Sequence, residues 1–194
     1  KELDAREVFD SIAKLAWETG DPGVVFIERM NDLRGNPVPR LGQIESTNPC
    51  GEQPLLPNEP CNLGSIDLNK FVKKIGKKME FDLDKLKKTV WSSVHFLDNV
   101  IDMNKYPLQQ IEEMAKGNRR IGLGIMGWAD LLVSLEIPYN SNKALSLADE
   151  IMGFIEKESH AASMAIAKKR GTFPNFKDSL YNHPGGEKLR NCAV

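Results

Sequence analysis

Apolar residues recur at helical spacing in several stretches of this chain, and proline and glycine separate these stretches. Asp4 and Glu7 form a variant of a capping box ahead of a first helix, and Gly20 marks its end. Asp82 and Ser141 are the expected caps of two long helices. The positions expected to face the core are Leu83, Leu86, Val90, Val94, Leu97 and Ile101 in the first, and Leu145, Ala148, Ile151, Ile155, Ala162 and Ile166 in the second.

The segments between these helices are shorter and mixed in character. The run VVFIERM, residues 24–30, favours a short helix, whereas the partial alternation in CNLGSIDL, residues 61–68, favours a strand. Pro107 separates the first long helix from a short one that reaches Gly117, and WADLLVSLE predicts another helix before Pro138. The pattern therefore predicts a largely helical region with a few short strands.

Composition and charge limit the class of protein. The 194 residues are 41% hydrophobic and 27% charged, which suits one domain or a compact part of a larger one. The net charge of −1 gives no electrostatic reason to expect direct DNA binding or an anionic membrane surface. The absence of an apolar run of about 20 residues and of a secretory signal favours a cytoplasmic protein without a membrane span. The chain has no initiator Met and ends on an apolar segment, so we expect missing sequence on both sides.

The stretch from Ile44 to Leu68 contains four prolines, which exclude a helix, and two of the three cysteines. Asn48, Cys50 and Glu52 lie at alternate positions within it. In an extended backbone their side chains would point the same way, roughly 7 Å apart, and present an amide, a thiol and a carboxylate to one small ligand. The alternative is a buried structural cysteine beside a solvated glutamate.

Cys61 leaves three alternatives open. It forms a redox disulfide with Cys50, or one thiol is reactive and the other is its reductant, or the two are unrelated buried thiols. The run GLGIMG, residues 122–127, matches the G-x-G-x-x-G pattern of dinucleotide-binding Rossmann units. The residues before it do not form a buried strand, so we favour close helix packing as the reason for these glycines.

The remaining polar candidates favour structural roles. For Arg119 and Arg120 we favour a surface ion pair over phosphate binding at the start of the following helix. The three histidines lack metal-ligand spacing and the cysteines lack a C-x-x-C pair, so the sequence predicts no metal site. The three tryptophans lie at helical positions and are expected in the core.

Beyond these patterns, the run ESTNPCGEQPLLPNEPCNLGSIDL closely resembles the finger loop of the catalytic large subunit of ribonucleotide reductases. Its N-P-C-G-E-Q-P-L-L-P form resembles the adenosylcobalamin-dependent, class II branch. The runs GNRRIGLGIMGWADLL and KRGTFPNF resemble later segments of that subunit in the same order, so the resemblance covers nearly the whole chain. LRNCAV resembles the run that leads into a phosphate-binding loop, although the family commonly has another residue at Cys192.

The resemblance implies an α/β fold, a ten-stranded α/β barrel with a central finger loop at about residues 44–68. Residues 1–194 would form part of that catalytic barrel domain. Cys50 matches the cysteine that becomes a transient thiyl radical, Glu52 the carboxylate that serves the ribose 3′-hydroxyl, and Asn48 the amide that hydrogen-bonds the substrate. Cys61 matches one of the two cysteines that reduce the substrate and become a disulfide. The substrate-binding residues implied are Asn48, Pro49, Cys50, Gly51 and Glu52.

The same resemblance implies a ribonucleotide substrate, adenosylcobalamin as the radical-generating cofactor and a thioredoxin-type or dithiol reductant. Its further partners would be allosteric nucleotides, the remaining parts of the same subunit and, when complete, a second copy in a homodimer. The family places the disulfide partner of Cys61 upstream, where this chain has no candidate other than Cys50, which matches the radical cysteine, so we expect this polypeptide alone to be inactive. The alternatives are a class I-type subunit with a separate radical-generating subunit, a thiolate enzyme with Cys50 as nucleophile, and a non-catalytic interaction module of the same fold.

Overall fold

The computed structural model of the chain describes residues 2–32, 35–60, 62–76 and 78–194. Its α-helices are α1 (Ala5–Thr19), α2 (Ile27–Asn31), α3 (Leu83–Met103), α4 (Gln109–Asn118), α5 (Trp128–Ser134) and α6 (Asn142–Arg170). Its strands are β1 (Ser46–Thr47), β2 (Pro54–Leu55), β3 (Leu63–Asp67), β4 (Val72–Ile75), β5 (Lys78–Phe81) and β6 (Gly122–Met126). Short 3₁₀ helices span Leu68–Phe71 and Pro174–Asp178. Helix dominates the described residues, as the apolar pattern predicts.

The strands form three pairs, and one of these pairs is parallel. β1 and β2 form a small antiparallel hairpin, and β4 and β5 form another. β3 and β6 run parallel in a register that places Leu63 opposite Gly122 and Asp67 opposite Met126. The chain between them passes through α3 and α4, because parallel strands need a long crossover connection. A parallel pair with a helical crossover is typical of an α/β fold.

The main core lies where α3 packs against α6 and β3. On α3, the buried predicted positions are Leu86, Val90, Val94, Leu97 and Ile101. On α6, Ile151, Ile155 and Ala162 are buried as predicted, but Leu145 is 66% exposed, so its predicted inward position is wrong. Ala144 takes the buried position instead. It lies seven residues before Ile151 and shares its face, whereas Leu145 is turned away by about 100°.

The predicted helix caps are confirmed. The Asp4 carboxylate accepts hydrogen bonds from the backbone N–H groups of the first turn of α1, and Gly20 ends that helix in the left-handed conformation at φ 85°. Asp82 accepts from the Lys85 N–H at 3.0 Å, and Ser141 caps α6 in the same way. These caps satisfy backbone donors that a helix start leaves without partners.

The core position expected for the tryptophans is wrong for Trp17, which is 84% exposed. It lies on α1, where no residue is buried by the described part of the chain. Trp91 is 38% exposed and Trp128 is half-buried, so neither is fully enclosed either. Helical spacing gives the face of a helix but does not say what covers that face.

The glycines of GLGIMG serve strand packing and not the predicted helix packing. The run from Gly122 to Met126 is itself β6, so it does not follow a strand as a Rossmann fingerprint does. A Cβ on Gly122 would collide with the Leu63 side chain of the paired strand. Gly127 has a φ of 70°, and a Cβ there would collide with the Asp67 carboxylate. At Gly127 the positive φ favours glycine, whereas at Gly122 a larger residue would need the flexible end of the Leu63 side chain to move.

A buried ion network joins the helices, and it corrects the surface position predicted for Arg119. Arg119 is 3% exposed and adopts the left-handed conformation at the end of α4, with φ 51° and ψ 40°. Its Nε donates to Asp98 Oδ1 at 2.9 Å, and its Nη1 donates to Asp102 Oδ1 at 2.7 Å. The hydrogen bond from Arg119 lowers the pKa of Asp102. Asp98, which is fully buried, also accepts from Arg170 on α6 and from Asn191.

We expect the substitution Asp98→Ala to lower the free energy of unfolding by about 3–5 kcal/mol, because it leaves the buried Nε of Arg119 without its acceptor and the partly exposed Asp102 as the remaining carboxylate partner of that guanidinium. Urea unfolding of the protein measures this loss. Asp149→Ala on the exposed side of α6 is the control and should change stability by less than about 1 kcal/mol. Equally small losses of unfolding free energy in the two variants would contradict a large contribution of Asp98 to stability.

Candidate functional site

Cys50 lies in the turn of the hairpin formed by β1 and β2. The Gly51 N–H donates to the Asn48 carbonyl at 3.0 Å, and the Gln53 N–H donates to Asn48 Oδ1 at 2.9 Å. Gly51 has a φ of 83°, which glycine adopts without strain. The extended backbone expected here is therefore wrong, because asparagine and glycine at these positions favour a closed turn.

The turn changes how the three predicted residues are presented. Cys50 and Glu52 are both exposed, whereas Asn48 is half-buried and its side-chain oxygen is used inside the turn. Alternation along a strand no longer aligns the three side chains. Within this chain Cys50 is exposed and not buried as the structural alternative would have it. The three groups are thus placed on one small turn, with the thiol accessible from outside.

An open cavity of about 580 Å³ lies beside this turn, within the range of small-molecule sites. One side is formed by Thr47, Pro49, Cys50 and Gly51, and the other by the segment that leads into α2. The residues of that second side are Gly23, Val24, Val25, Phe26, Arg29 and Met30. A thiol and a mostly apolar wall therefore face the same space.

Arg29 adds a cation to the wall of this cavity, a residue that the sequence pattern did not indicate. Its guanidinium carbon lies 5.5 Å from the centroid of the Phe26 ring. The stretch around Cys50 contains no basic residue, so no local signal pointed to an arginine more than twenty positions upstream. The cavity thus combines a thiol with a positive charge, which suits an anionic organic ligand.

The base of the hairpin is fixed by a second buried ion pair. Glu59 Oε2 accepts from the Leu56 N–H at 3.0 Å, and Glu59 Oε1 accepts from Asn118 Nδ2 at 2.8 Å. Arg120 Nε lies 2.9 Å from the same Oε1. Glu59 is 6% exposed, Asn118 is 0% exposed and Arg120 is 7% exposed. The surface pair predicted for Arg120 is therefore a buried pair.

Cys192 differs from Cys50 in its surroundings. Cys192 is fully buried, and burial raises the pKa of its thiol to about 12, so the thiol stays neutral near pH 7. Its backbone N–H donates to the Asn118 carbonyl at 3.0 Å. Cys61, predicted as a redox cysteine, lies outside the described residues.

The histidines are dispersed among ordinary polar contacts. His95 lies 3.2 Å from an Arg170 guanidinium nitrogen, His160 lies 2.6 Å from Glu187, and His183 contacts a neighbouring carbonyl. Within the described ranges, no three His, Cys, Asp or Glu side chains group closely enough to hold a metal ion. None of the described helices has the length and apolar character needed to cross a membrane.

Known proteins with a similar sequence provide independent information. The model of the ribonucleotide reductase barrel domain matches residues 1–187. The chain is 53% identical over 194 residues to the vitamin B12-dependent ribonucleoside-diphosphate reductase of Thermoplasma acidophilum, covering 100% of this chain and 24% of that protein. It is 48% identical over 192 residues to the protein of that name from Mycobacterium tuberculosis strain CDC 1551, covering 99% of this chain and 27% of that protein. The chain therefore spans about a quarter of the length of these curated relatives.

A solved structure supports the same fold. The chain is similar to the alpha subunit of a class Id ribonucleotide reductase from Actinobacillus ureae, with a TM-score of 0.76 and 24% sequence identity. The similarity covers 96% of this chain and 35% of that subunit. The predicted α/β barrel class is thereby confirmed. Because the family model matches residues 1–187, the chain belongs to the ribonucleotide reductase barrel domain family.

Proposed function

We propose that this chain is the finger-loop part of an enzyme that reduces ribonucleotides to 2′-deoxyribonucleotides through a thiyl radical. The observation that carries the proposal is the position of Cys50, exposed on a tight turn at the edge of a cavity of about 580 Å³. The relatives named above are reductases about four times as long, so the activity belongs to a protein that supplies the remaining parts. This chain alone is inactive in the proposal.

The chemistry explains why an accessible thiol is needed. No neighbouring group activates the 2′-hydroxyl of a ribose for departure, but a radical at C3′ does. A Cys50 thiyl radical takes the 3′-hydrogen, so that an S–H bond forms while the C3′–H bond breaks and the unpaired electron moves to C3′. The exchange has a small energetic penalty because the two bonds are similar in strength. The open side of the turn is where the sugar approaches Cys50.

Glu52 and Asn48 serve the sugar from the same turn. Glu52 is exposed two residues after the thiol and acts as general base that takes the proton of the 3′-hydroxyl, while the 2′-hydroxyl takes up a proton from one of the two redox thiols and leaves as water. The side-chain oxygen of Asn48 accepts from the Gln53 N–H, so the amide NH₂ is the part that donates to the substrate. Such positioning contributes several kcal/mol to catalysis.

Two electrons must then be returned to the substrate. In the proposal, Cys61 and a cysteine elsewhere in the complete protein give up two electrons and two protons and become a disulfide. A thioredoxin-type or dithiol reductant regenerates both thiols by thiol–disulfide exchange. This chemistry favours the reducing cytoplasm as the location of the protein.

Adenosylcobalamin is the proposed radical source, in keeping with the vitamin B12 dependence in the names of the two relatives. When bound, it supplies the unpaired electron that Cys50 carries. The residues at the turn fit such a large group, because Pro49 and Cys50 are exposed and would face it without any opening of this chain. The proposal also includes allosteric nucleotides and a homodimer for the complete protein.

In the full-length protein, we expect Cys50→Ala to abolish release of tritium from 3′-tritiated ribonucleotide, because the hydrogen carrier is missing. Nucleotide binding should change by less than about threefold. Cys192→Ala is the matched control and should retain exchange, because this thiol is buried away from the cavity. Tritium release by the Cys50→Ala protein would reject the thiyl role.

Cys61→Ser should separate hydrogen abstraction from reduction. We expect the full-length variant to exchange the 3′-hydrogen but to form no deoxyribonucleotide with a dithiol reductant, because no disulfide can be made. Chromatography of the nucleotides measures product, and tritium release measures abstraction. Continued turnover at the unmodified rate would remove Cys61 from the mechanism.

Asn48→Asp tests the substrate contact without removing the turn contact. The carboxylate still accepts from the Gln53 N–H but no longer donates to the sugar, so we expect kcat/KM to fall by about 10- to 100-fold. Asn58→Asp adds the same charge on an exposed position outside the turn and should leave kcat/KM within about threefold. Equal effects of the two substitutions would indicate charge alone and not a lost donor.

A further inference from the structure

Glu59 is a buried carboxylate that the proposed chemistry does not use. Its side chain is 1% exposed, and it does not line the cavity at Cys50. Both of its oxygens are nevertheless occupied, one by the Leu56 N–H and the other by Asn118 and Arg120. The role of this buried carboxylate depends on which parts of the fold its three partners belong to.

One side of this contact is the end of the hairpin. The Glu59 N–H donates to the Leu56 carbonyl at 3.0 Å, while the Glu59 carboxylate accepts from the Leu56 N–H at 3.0 Å. Leu56 directly follows β2, and β2 pairs with β1 on the other side of the Cys50 turn. A constraint on Leu56 therefore acts on β2 and, through the hairpin, on the Cys50 turn.

The other side of the contact is a rigid junction between α4 and β6. Asn118 and Arg120 flank Arg119, whose guanidinium is fixed by Asp98 and Asp102. Because Arg119 adopts the left-handed conformation, the chain changes direction sharply at this residue, and Asn118 and Arg120 lie on either side of the bend. Asn118 and Arg120 thus reach Glu59 from a part of the fold that is held in place by separate ion pairs.

The energetics favour a geometric role for this pair. Removing charges from water is costly, and a well-packed apolar group is often as stabilising as a buried ion pair. Here the cost is increased, because Arg120 Nε and Nη2 are buried and make no hydrogen bond in the part of the chain that the structure describes, so Arg120 meets Glu59 as an ion pair without a hydrogen bond. The contact therefore contributes little net stability. Its role is to fix the end of the hairpin relative to the junction between α4 and β6.

We propose that Glu59 is a positioning residue that acts through Leu56 to hold the Cys50 turn at a fixed place relative to the parallel strand pair. The inference rests on the proposed function, because it assigns to this contact the alignment of the thiol with the ribose 3′-hydrogen. Misplacement by about 1 Å costs about 100-fold in rate when a reacting atom must meet its target.

The test uses Glu59→Gln in the full-length protein. We expect kcat to fall by about 10- to 100-fold while the ribonucleotide KM stays within about threefold, because the substrate-binding groups remain but the thiol is displaced. Glu158→Gln is the matched control, since it removes a largely buried carboxylate paired with Lys87 between α3 and α6 without touching Arg119 or the hairpin. Its kcat should stay within about threefold of the unmodified protein. If kcat falls in proportion to the fall in Tm, and does so to the same extent in both variants, the positioning role is overturned.

Hydrogen–deuterium exchange tests the same contact without relying on activity. In Glu59→Gln we expect the amides of Gln53 and Leu56 to exchange about tenfold faster or more, and in Glu158→Gln we expect no change at these amides. Unchanged exchange in Glu59→Gln would overturn the proposal. If the unmodified protein does not reduce ribonucleotides, the proposed function fails, whereas this exchange measurement still decides whether Glu59 positions the turn.

A second variant covers the case in which Glu59→Gln does not accumulate as folded protein. Arg120→Lys retains the positive charge but loses the planar guanidinium that lies against the Glu59 carboxylate. We expect the same separation of kcat from KM, to a smaller degree, together with faster exchange at Leu56. Full kcat and unchanged exchange in Arg120→Lys would overturn the proposal.

Discussion

The insertion of Arg119 between the carboxylates of Asp98 and Asp102 is the interaction on which the described structure depends. It ends α4 in a left-handed turn and starts the strand that pairs with β3. Asp98 is fully buried and also contacts α6 and the C-terminal segment, so one carboxylate connects elements far apart along the chain. Since a buried charge that loses its partner is very costly, alternative arrangements of these helices are strongly disfavoured.

This constraint extends to the site through the residues on either side of Arg119. Asn118 and Arg120 bind Glu59, and Glu59 binds the residue that follows the hairpin. The turn that carries Cys50 is short and closed by hydrogen bonds of its own. A thiol on a small turn that a buried network holds in place is a suitable arrangement for the proposed chemistry, which tolerates little misalignment.

The sequence predicted the elements that depend on local chemistry. Asp4, Asp82 and Ser141 cap helices because their side chains bond to backbone donors only two or three residues away. Positions that depend on distant partners were predicted poorly. Arg119 is buried because carboxylates from α3 surround it, and no local pattern carries that information. The run GLGIMG formed a strand because β3 accepts it in parallel, although few of its residues favour a strand by propensity.

The site was predictable in part for a similar reason. The residue types around Cys50 and the resemblance of the loop indicated a radical thiol, and the exposure of that thiol is consistent with this role. The turn geometry was missed because alternation was assumed where Asn48 and Gly51 close a hairpin. Arg29 and Glu59 could not be found from spacing, because the fold and not the sequence brings them to the cavity and to the base of the hairpin.

The central proposal is that the Cys50 sulfur carries an unpaired electron to the ribose. Electron paramagnetic resonance of the full-length protein, frozen during turnover, tests it most directly when the cysteines are deuterated at their β-carbons. A thiyl radical at Cys50 predicts a sulfur-centred signal that narrows with the deuterium label and is missing from the Cys50→Ala protein. A label-sensitive sulfur signal of full intensity in the Cys50→Ala protein would contradict the proposal.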